Sequence, residues 1–386
     1  MTEQLRADDE IAMVGIIQEQ HPDRNRLFMQ WKGMDWPIMV DSLNLLEMDV
    51  VPYHVLIDEA GVVVEAGARP GDLEAFLARE PASHAAAETP SPRVDRVRSA
   101  HERGEASAGE LATALYLWGD AGDLDEVIEL YGRALERGAA AGPTNFRLGV
   151  AHRARFESDS RRDGDFAAAI EHWGAALDVD PNQYIWRRRI QQYGPRLDKP
   201  YPFYDWVETA REEIRARGEE PLPLRVEPKG AELTRPSRHF DTGQASLTEP
   251  DPDDRITRDT LNLIETEVVV APATRARSRS ARVHLIMRPN AAQDAHWNNE
   301  VEPTEVWLRP PEDWTVDSRR LVAPMGEGAV STETRTLEFE VRPPEGWGGG
   351  TETIPAYALV YACEGADGVC LYLREDIDIE VKFPER

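Results

Sequence analysis

The period of the apolar residues changes twice along this chain of 386 residues, and each period demands a different kind of layer. Up to about residue 80, short apolar runs alternate with helical patterns. From about 109 to 220 the apolar positions recur every three to four residues. After about 221 they recur every second residue. A chain this long also exceeds what a single core usually organises. The predicted architecture is therefore multidomain α+β. It comprises a partial α/β domain over residues 1–80, a linker over 81–108, an α-helical array over 109–220, a connector over 221–265 and an antiparallel β-sandwich over 266–386.

Charge narrows the partners. The chain carries 44 basic and 71 acidic residues, a net charge of −27, which disfavours nucleic acid and anionic membrane by repulsion. No apolar run approaches the roughly 18 residues of a membrane span. The opening MTEQLRADDE lacks the basic flank and apolar stretch of an export signal. As written the chain is expected in the cytoplasm, and in the periplasm or outside the cell if an upstream leader has been lost.

In the first part, IAMVGII reads as a buried parallel strand and DRNRLFMQWKGM as a helix, with WPIMVD, YHVLID and VVVEAG as strands and GDLEAFLARE as a closing helix. The segment 11–80 resembles the second half of a thioredoxin-fold protein of the TlpA and AhpC/TSA redoxin type. The likeness rests on GIIQEQ, PIMVD, the Val51-Pro52 step and LIDEAGVVVEAG. It implies that Pro52 is a cis-proline facing a redox dithiol. That family's first two strands and the helix ending in Cys-x-x-Cys have no counterpart in these residues. Either the natural protein begins further upstream, or a degenerate domain closes the gap by direct pairing or dimerisation. In both cases no dithiol chemistry is expected at this end. Read without the resemblance, Pro52 is an ordinary strand-initial proline.

PASHAAAETPSPR reads as a flexible linker. Beyond it LDEVIELYGRALERG and FAAAIEHWGAALDVDP align at a displacement of 42 residues, Tyr131 over Trp173 and Leu135 over Leu177. The pattern resembles tetratricopeptide repeats, whose period is about 34, with SDSRRDG as an inserted loop. The resemblance implies a groove for a peptide or partner helix, in which Arg147, Arg187 and Arg189 would meet an anionic partner. Those arginines fit equally a set of solvated helix faces paired with local carboxylates.

In the last part seven β-runs, ETEVVVAP, ARVHLIMRP, TEVWLRP, TRTLEFEVRP, YALVYAC, VCLYLRE and IDIEVKFP, are separated by Pro and Gly. YALVYACEGADGVCLYLRE holds the only two cysteines, Cys363 and Cys370, on either side of a six-residue hairpin turn. Facing residues in such a pair lie close enough for a disulfide. Closing so short a loop contributes about 2.5 kcal/mol by chain entropy. The region from about residue 266 to 383 also resembles the N-terminal immunoglobulin-like domain of DsbD-type thiol:disulfide interchange proteins, through Tyr361, Cys363 and Cys370. The likeness implies a redox pair that exchanges electrons with a thioredoxin-like protein or domain, although LYLREDI departs from the family's proline-bearing tail. Three readings of the cysteines stand open: an exchangeable pair, a structural staple, or two inert thiols. Nearby Glu364, Asp367 and Glu375 raise a thiol pKa, and Arg374 offsets part of that. No histidine or cysteine spacing fits a metal, and no motif calls for a cofactor.

Overall fold

A computed structural model describes residues 11–48, 50–69, 71–80, 94–237, 240, 247–274, 279–365 and 369–385, in two compact units. The PASHAAAETPSPR segment lies outside the described residues. The fold is mixed α+β: an α/β region at the N-terminus, a helical middle and antiparallel sheets at the C-terminus.

The first unit takes residues 1–188 and 207–226. Strand β1 (Gly15–Ile17) pairs in parallel with β2 (Ile38–Val40). Between them runs α1 (Pro22–Lys32), begun by a proline that needs no hydrogen bond and ended by Gly33 in the left-handed conformation. Strands β3 (Val55–Ile57) and β4 (Val63–Ala66) form a separate antiparallel hairpin, followed by the short α2 (Asp72–Leu77). Parallel strands are normally buried on both faces. Here Ile16 of β1 is 44% exposed and Met39 of β2 57%, so the burial expected of a parallel pair is absent, and Ile57 and Val63 of the antiparallel hairpin are exposed as well. The physical reason is plain: four strands of three or four residues form two separate pairs, and among the described residues neither pair has a covering layer on both faces.

The helical stack follows, with α3 (Val94–Glu102), α4 (Ala108–Trp118), α5 (Leu124–Glu136), α6 (Ala141–Phe156) and α7 (Asp165–Val179). Helix α3 falls inside the stretch expected to be linker, where Val94 and Val97 pack on the apolar cluster of α4 and α5. Ser107 and Glu110 start α4 with a reciprocal capping box. Each helix packs on the next. At the α6–α7 crossing, Gly149 lies against the Trp173 indole so closely that a methyl group there would collide with the ring. Trp173 and Trp186 are buried, whereas Trp118 is half exposed. After α8 (Tyr184–Gln191), helix α9 (Val207–Ala216) lies beside α1, with Trp31 Nε1 donating to Glu213 Oε2 at 2.5 Å and Arg217 donating to the Gln30 and Trp31 carbonyls at 2.9 Å.

The second unit takes residues 189–206 and 227–386. Four strands form one sheet in the order β5-β6-β12-β9: β5 (Ile264–Pro272), β6 (Ala281–Pro289), β9 (Thr315–Val316) and β12 (Arg335–Arg342). The other sheet has β10 (Arg320–Val322), β8 (Glu305–Leu308), β13 (Gly350–Glu364), β7 (Ala295–Asn298) and β11 (Val330–Ser331), with β14 (Cys370–Phe383) along the full length of β13. VCLYLRE and IDIEVKFP, expected as two strands, are this one continuous strand, and β7, β9, β10 and β11 are strands that the seven expected runs do not contain. The two sheets share one apolar core that includes Val283, Leu285, Trp297, Phe339, Ile354 and Ile379. The alternation places them there: Leu337, Phe339 and Val341 point inward, and Glu338 and Glu340 outward.

Glu340 is nevertheless buried, and the Glu338 side chain only 10% exposed, beneath the 189–206 and 229–234 segments of the same unit. Arg282 Nε donates to Glu338 Oε2 at 2.8 Å, His284 Nε2 meets the Tyr193 carbonyl at 2.9 Å, and Arg196 Nε donates to Glu340 Oε1 at 2.9 Å. Burial alone would raise the Glu338 pKa, but the charges of His284 and Arg282 more than offset it and hold the carboxyl well below its ordinary range. Lys199, which donates to the Ala231 carbonyl, is brought down to about 7, chiefly by burial and then by the Arg282 charge.

Candidate functional site

The β13–β14 hairpin carries the site. In register, Cys363 faces Cys370, Tyr361 faces Tyr372, Leu359 faces Arg374 and Tyr357 faces Asp376. Because successive side chains alternate, these eight share the face turned away from the core, whose side is taken by Val360, Ala362 and Leu373. Cys363 and Cys370 form a disulfide, with Sγ–Sγ 2.04 Å and Cα–Cα 3.9 Å.

The two halves of the bridge differ in access. Cys363 is 1% exposed, on a strand flanked by β14 on one side and by His296 of β7 on the other. Cys370 is exposed, at the start of the edge strand, next to Val369 at 71%. Beside the bridge the Tyr361 and Tyr372 rings stack at 4.5 Å. Burial raises both phenols, and the Glu302 carboxylate adds to that in each case.

Arg374 does not serve the sulfurs. Its guanidinium lies 3.9 Å over the Tyr357 ring and donates to Asp251 Oδ2 at 2.8 Å and to Asp376 Oδ1 at 2.7 Å. Its charge is spent on carboxylates, so it does not offset the acids near the cysteines. A strap from Asp251 to Asp259 crosses here. Arg374 N–H donates to the Thr257 carbonyl at 2.8 Å, and Asp259 N–H donates to the Arg374 carbonyl at 3.1 Å. On the core side, burial raises Glu375 to about 7, and the nearby Asp259 charge adds to it.

The other residues singled out in the sequence do not gather at this site. The Val51–Pro52 peptide is cis, and Pro52 belongs to the first unit, whereas both cysteines belong to the second. Arg147 lines a cavity of about 950 Å3 bounded by α3, α4, α5 and α6, together with Arg96, Glu110, Thr113, Tyr131 and Arg137. Arg187 is outside that lining and donates to the Pro181 carbonyl at 3.4 Å. Arg189 is 1% exposed and falls in the second unit. Tyr372 and the strap lie outside the residues expected from the sequence, and the Tyr-x-Cys and Cys-x-Tyr symmetry about the turn is the signal that points to the ring pair.

Among the described residues, no three His, Cys, Asp or Glu side chains are grouped to hold a metal ion, and no helix is long and apolar enough to cross a membrane. No family model matches the chain, and no curated protein is significantly similar to it.

Proposed function

We propose that the chain is a thiol–disulfide exchange protein whose working group is Cys363–Cys370. The observation that carries this reading is the asymmetry of the bridge: one sulfur belongs to an exposed edge-strand residue and the other to a buried one. Exchange needs an attackable sulfur and a departing thiolate. A partner thiolate attacks Cys370 Sγ, the Cys363–Cys370 bond breaks, and Cys363 leaves as a thiolate that takes up a proton. The partner's second thiol then attacks its own sulfur in the mixed disulfide and releases Cys370, which is protonated in turn. Two electrons and two protons pass from the partner dithiol to the pair, and the steps reverse for flow in the other direction. The partner we assign is a thioredoxin-like protein or domain. The finer likenesses belong to the same reading: residues 11–80 as thioredoxin-like, residues 109–220 as tetratricopeptide-like, and residues 266–383 as an immunoglobulin-like sandwich of the DsbD type. The parallel β1–β2 pair joined through α1, the stacked helix pairs and the shared core of the two sheets support them.

The test is a titration against graded glutathione buffers, with alkylation of free thiols and mass spectrometry. A relay equilibrates at an intermediate potential, and Cys370→Ser abolishes the mixed disulfide while Cys363→Ser leaves one trappable at Cys370. A pair that remains oxidised in the most reducing buffer that leaves the protein folded sinks the reading. A second reading, a binding platform with a structural disulfide, draws on the 950 Å3 cavity in the helical stack and its arginines. It predicts the same peptide binding from the oxidised and reduced forms.

A further inference from the structure

We propose that the partner of the disulfide docks by strand addition to the open edge of β14 at Cys370 and Tyr372, an extended cysteine-bearing segment becoming the next strand of the sheet. The inference rests on the exchange reading above and adds to it how the partner is held.

The backbone register carries the argument. Arg374 gives both its N–H and its carbonyl to the strap, so the even-numbered residues of β14 turn their backbone groups away from β13. Tyr372 and Cys370 follow the same parity, and Cys363↔Cys370 is therefore a pair without ladder hydrogen bonds of its own. At Arg374 the strap's parallel bridge from Arg258 occupies the outward edge. Beyond that point, among the described residues, no strand other than β13 pairs with β14, and no loop backbone group bonds Tyr372 or Cys370. Tyr372 is 40% exposed and Val369 more so.

An edge with free N–H and carbonyl groups is a template for another extended segment. Here that template begins at the exposed cysteine itself. The strap already uses the same edge two residues further on, which shows that the strand accepts a neighbour on this side. A segment paired with Tyr372 and Cys370 would bring its own cysteine to the position beside Cys370 Sγ, and the Tyr361–Tyr372 rings would flank its alternate side chains. Main-chain bonds would supply the grip without reading the partner's sequence. That suits a carrier which must meet a thioredoxin-like partner and release it.

The experiment uses the full chain with an oxidised Cys363–Cys370 pair and two end-blocked peptides of alternating Thr and Val with one central Cys, the second N-methylated at every residue except the cysteine. The second-order rate of mixed-disulfide formation is followed by quenched mass spectrometry. The plain peptide is expected to react about fivefold faster than its methylated twin, the ratio that one backbone hydrogen bond of ordinary net strength would give. Tyr372→Pro, which deletes an outward N–H and leaves the β13 ladder intact, should bring the ratio to about one. Asp378→Pro, the same change six residues along, should keep it. Equal rates for the two peptides on the native chain, or a ratio that survives Tyr372→Pro, overturns strand addition. Dithiothreitol separates this failure from the larger one. If it opens the disulfide in the folded chain while both peptides react alike, only the docking mode is wrong; if it leaves the disulfide closed, the exchange reading falls and this proposal with it.

Discussion

The β3–β4 hairpin and the β12 and β13 strands are written in the same aliphatic alphabet, yet they end in opposite states. VVVEAG leaves Val62, Val63 and Val64 about half exposed, whereas LEFEV and YALVYA send Leu337, Phe339, Val341, Ala358 and Val360 into a sealed core. The difference lies in what faces them. A strand buries a side only when a second layer exists to receive it, and the C-terminal sheets supply that layer to each other. The lesson is that aliphatic content decides which segments can form strands, while burial depends on the partner layer.

The comparison breaks most visibly at Phe339. Truncating this fully buried ring, Phe339→Ala, is expected to destabilise the second unit by about 3–5 kcal/mol in chemical denaturation, through lost transfer energy and a cavity. A change below 1 kcal/mol would mean that the two sheets do not share a close-packed core.

Next in size is the disulfide. Replacing both cysteines with alanine should cost about 2.5 kcal/mol by the entropy of the short loop it closes. The same denaturation series checks it. A cost near that of Phe339→Ala would make the bridge chiefly a staple, and one near zero would leave it wholly to exchange.

Glu375 sharpens the comparison from inside. Its pKa in the folded protein, about 7, lies above the ordinary carboxyl value of 4.5, because a carboxylate on the core side of β14 loses solvation. The folded state thus holds its proton more tightly than the unfolded state. Stability from this group is fully present below pH 4.5 and is lost as the pH rises through 7. Glu375→Gln should add about 1–2 kcal/mol at pH 8, discounted for its partial exposure, and nothing at pH 4. Thermal melts of both forms across that range are the measurement, and a variant gain that does not depend on pH removes the argument.

How far the sequence could be read follows the same division. The period-2 runs around Leu337 and Val283 were legible as strands because their alternating apolar residues do line the core, and the Tyr131 and Trp173 echo placed two helices of the stack. The continuity of β14 was hidden because its outward face, Arg374, Asp376, Asp378 and Glu380, resembles a polar break between two strands. It is instead one edge strand, whose outward face is open at Asp376, Asp378 and Glu380 and covered by the strap at Arg374. Helix α3 was hidden by the Ala- and Pro-rich stretch before it. The buried network of Arg282, His284, Glu338 and Glu340 was invisible for a related reason: an alternating strand marks such residues as solvent-facing, and only the return of residues 189–206 over that face buries them. The cysteines were legible as neighbours, but the unequal access that gives them a chemistry depends on which of them sits on the edge, and that depends on the order of strands in the sheet.

The smallest effect tests the other side of the comparison. Val63 is 54% exposed on β4, so Val63→Thr removes little buried surface and should change the stability of the first unit by no more than about 0.5 kcal/mol. The substitution keeps a β-branched side chain, so the strand itself persists. What it removes is apolar surface that single isolated residues do not explain: Val55, Ile57, Val62, Val63 and Val64 all lie exposed on one short hairpin. The variant is therefore expected to bind less of a hydrophobic dye than the native chain at equal stability. If Val63→Thr instead cost as much as a core change, the hairpin would be packed against a layer in solution, and the contrast with β12 and β13 would vanish. Equal stability with unequal dye binding would show a surface that folding leaves open, as its two-stranded sheets require.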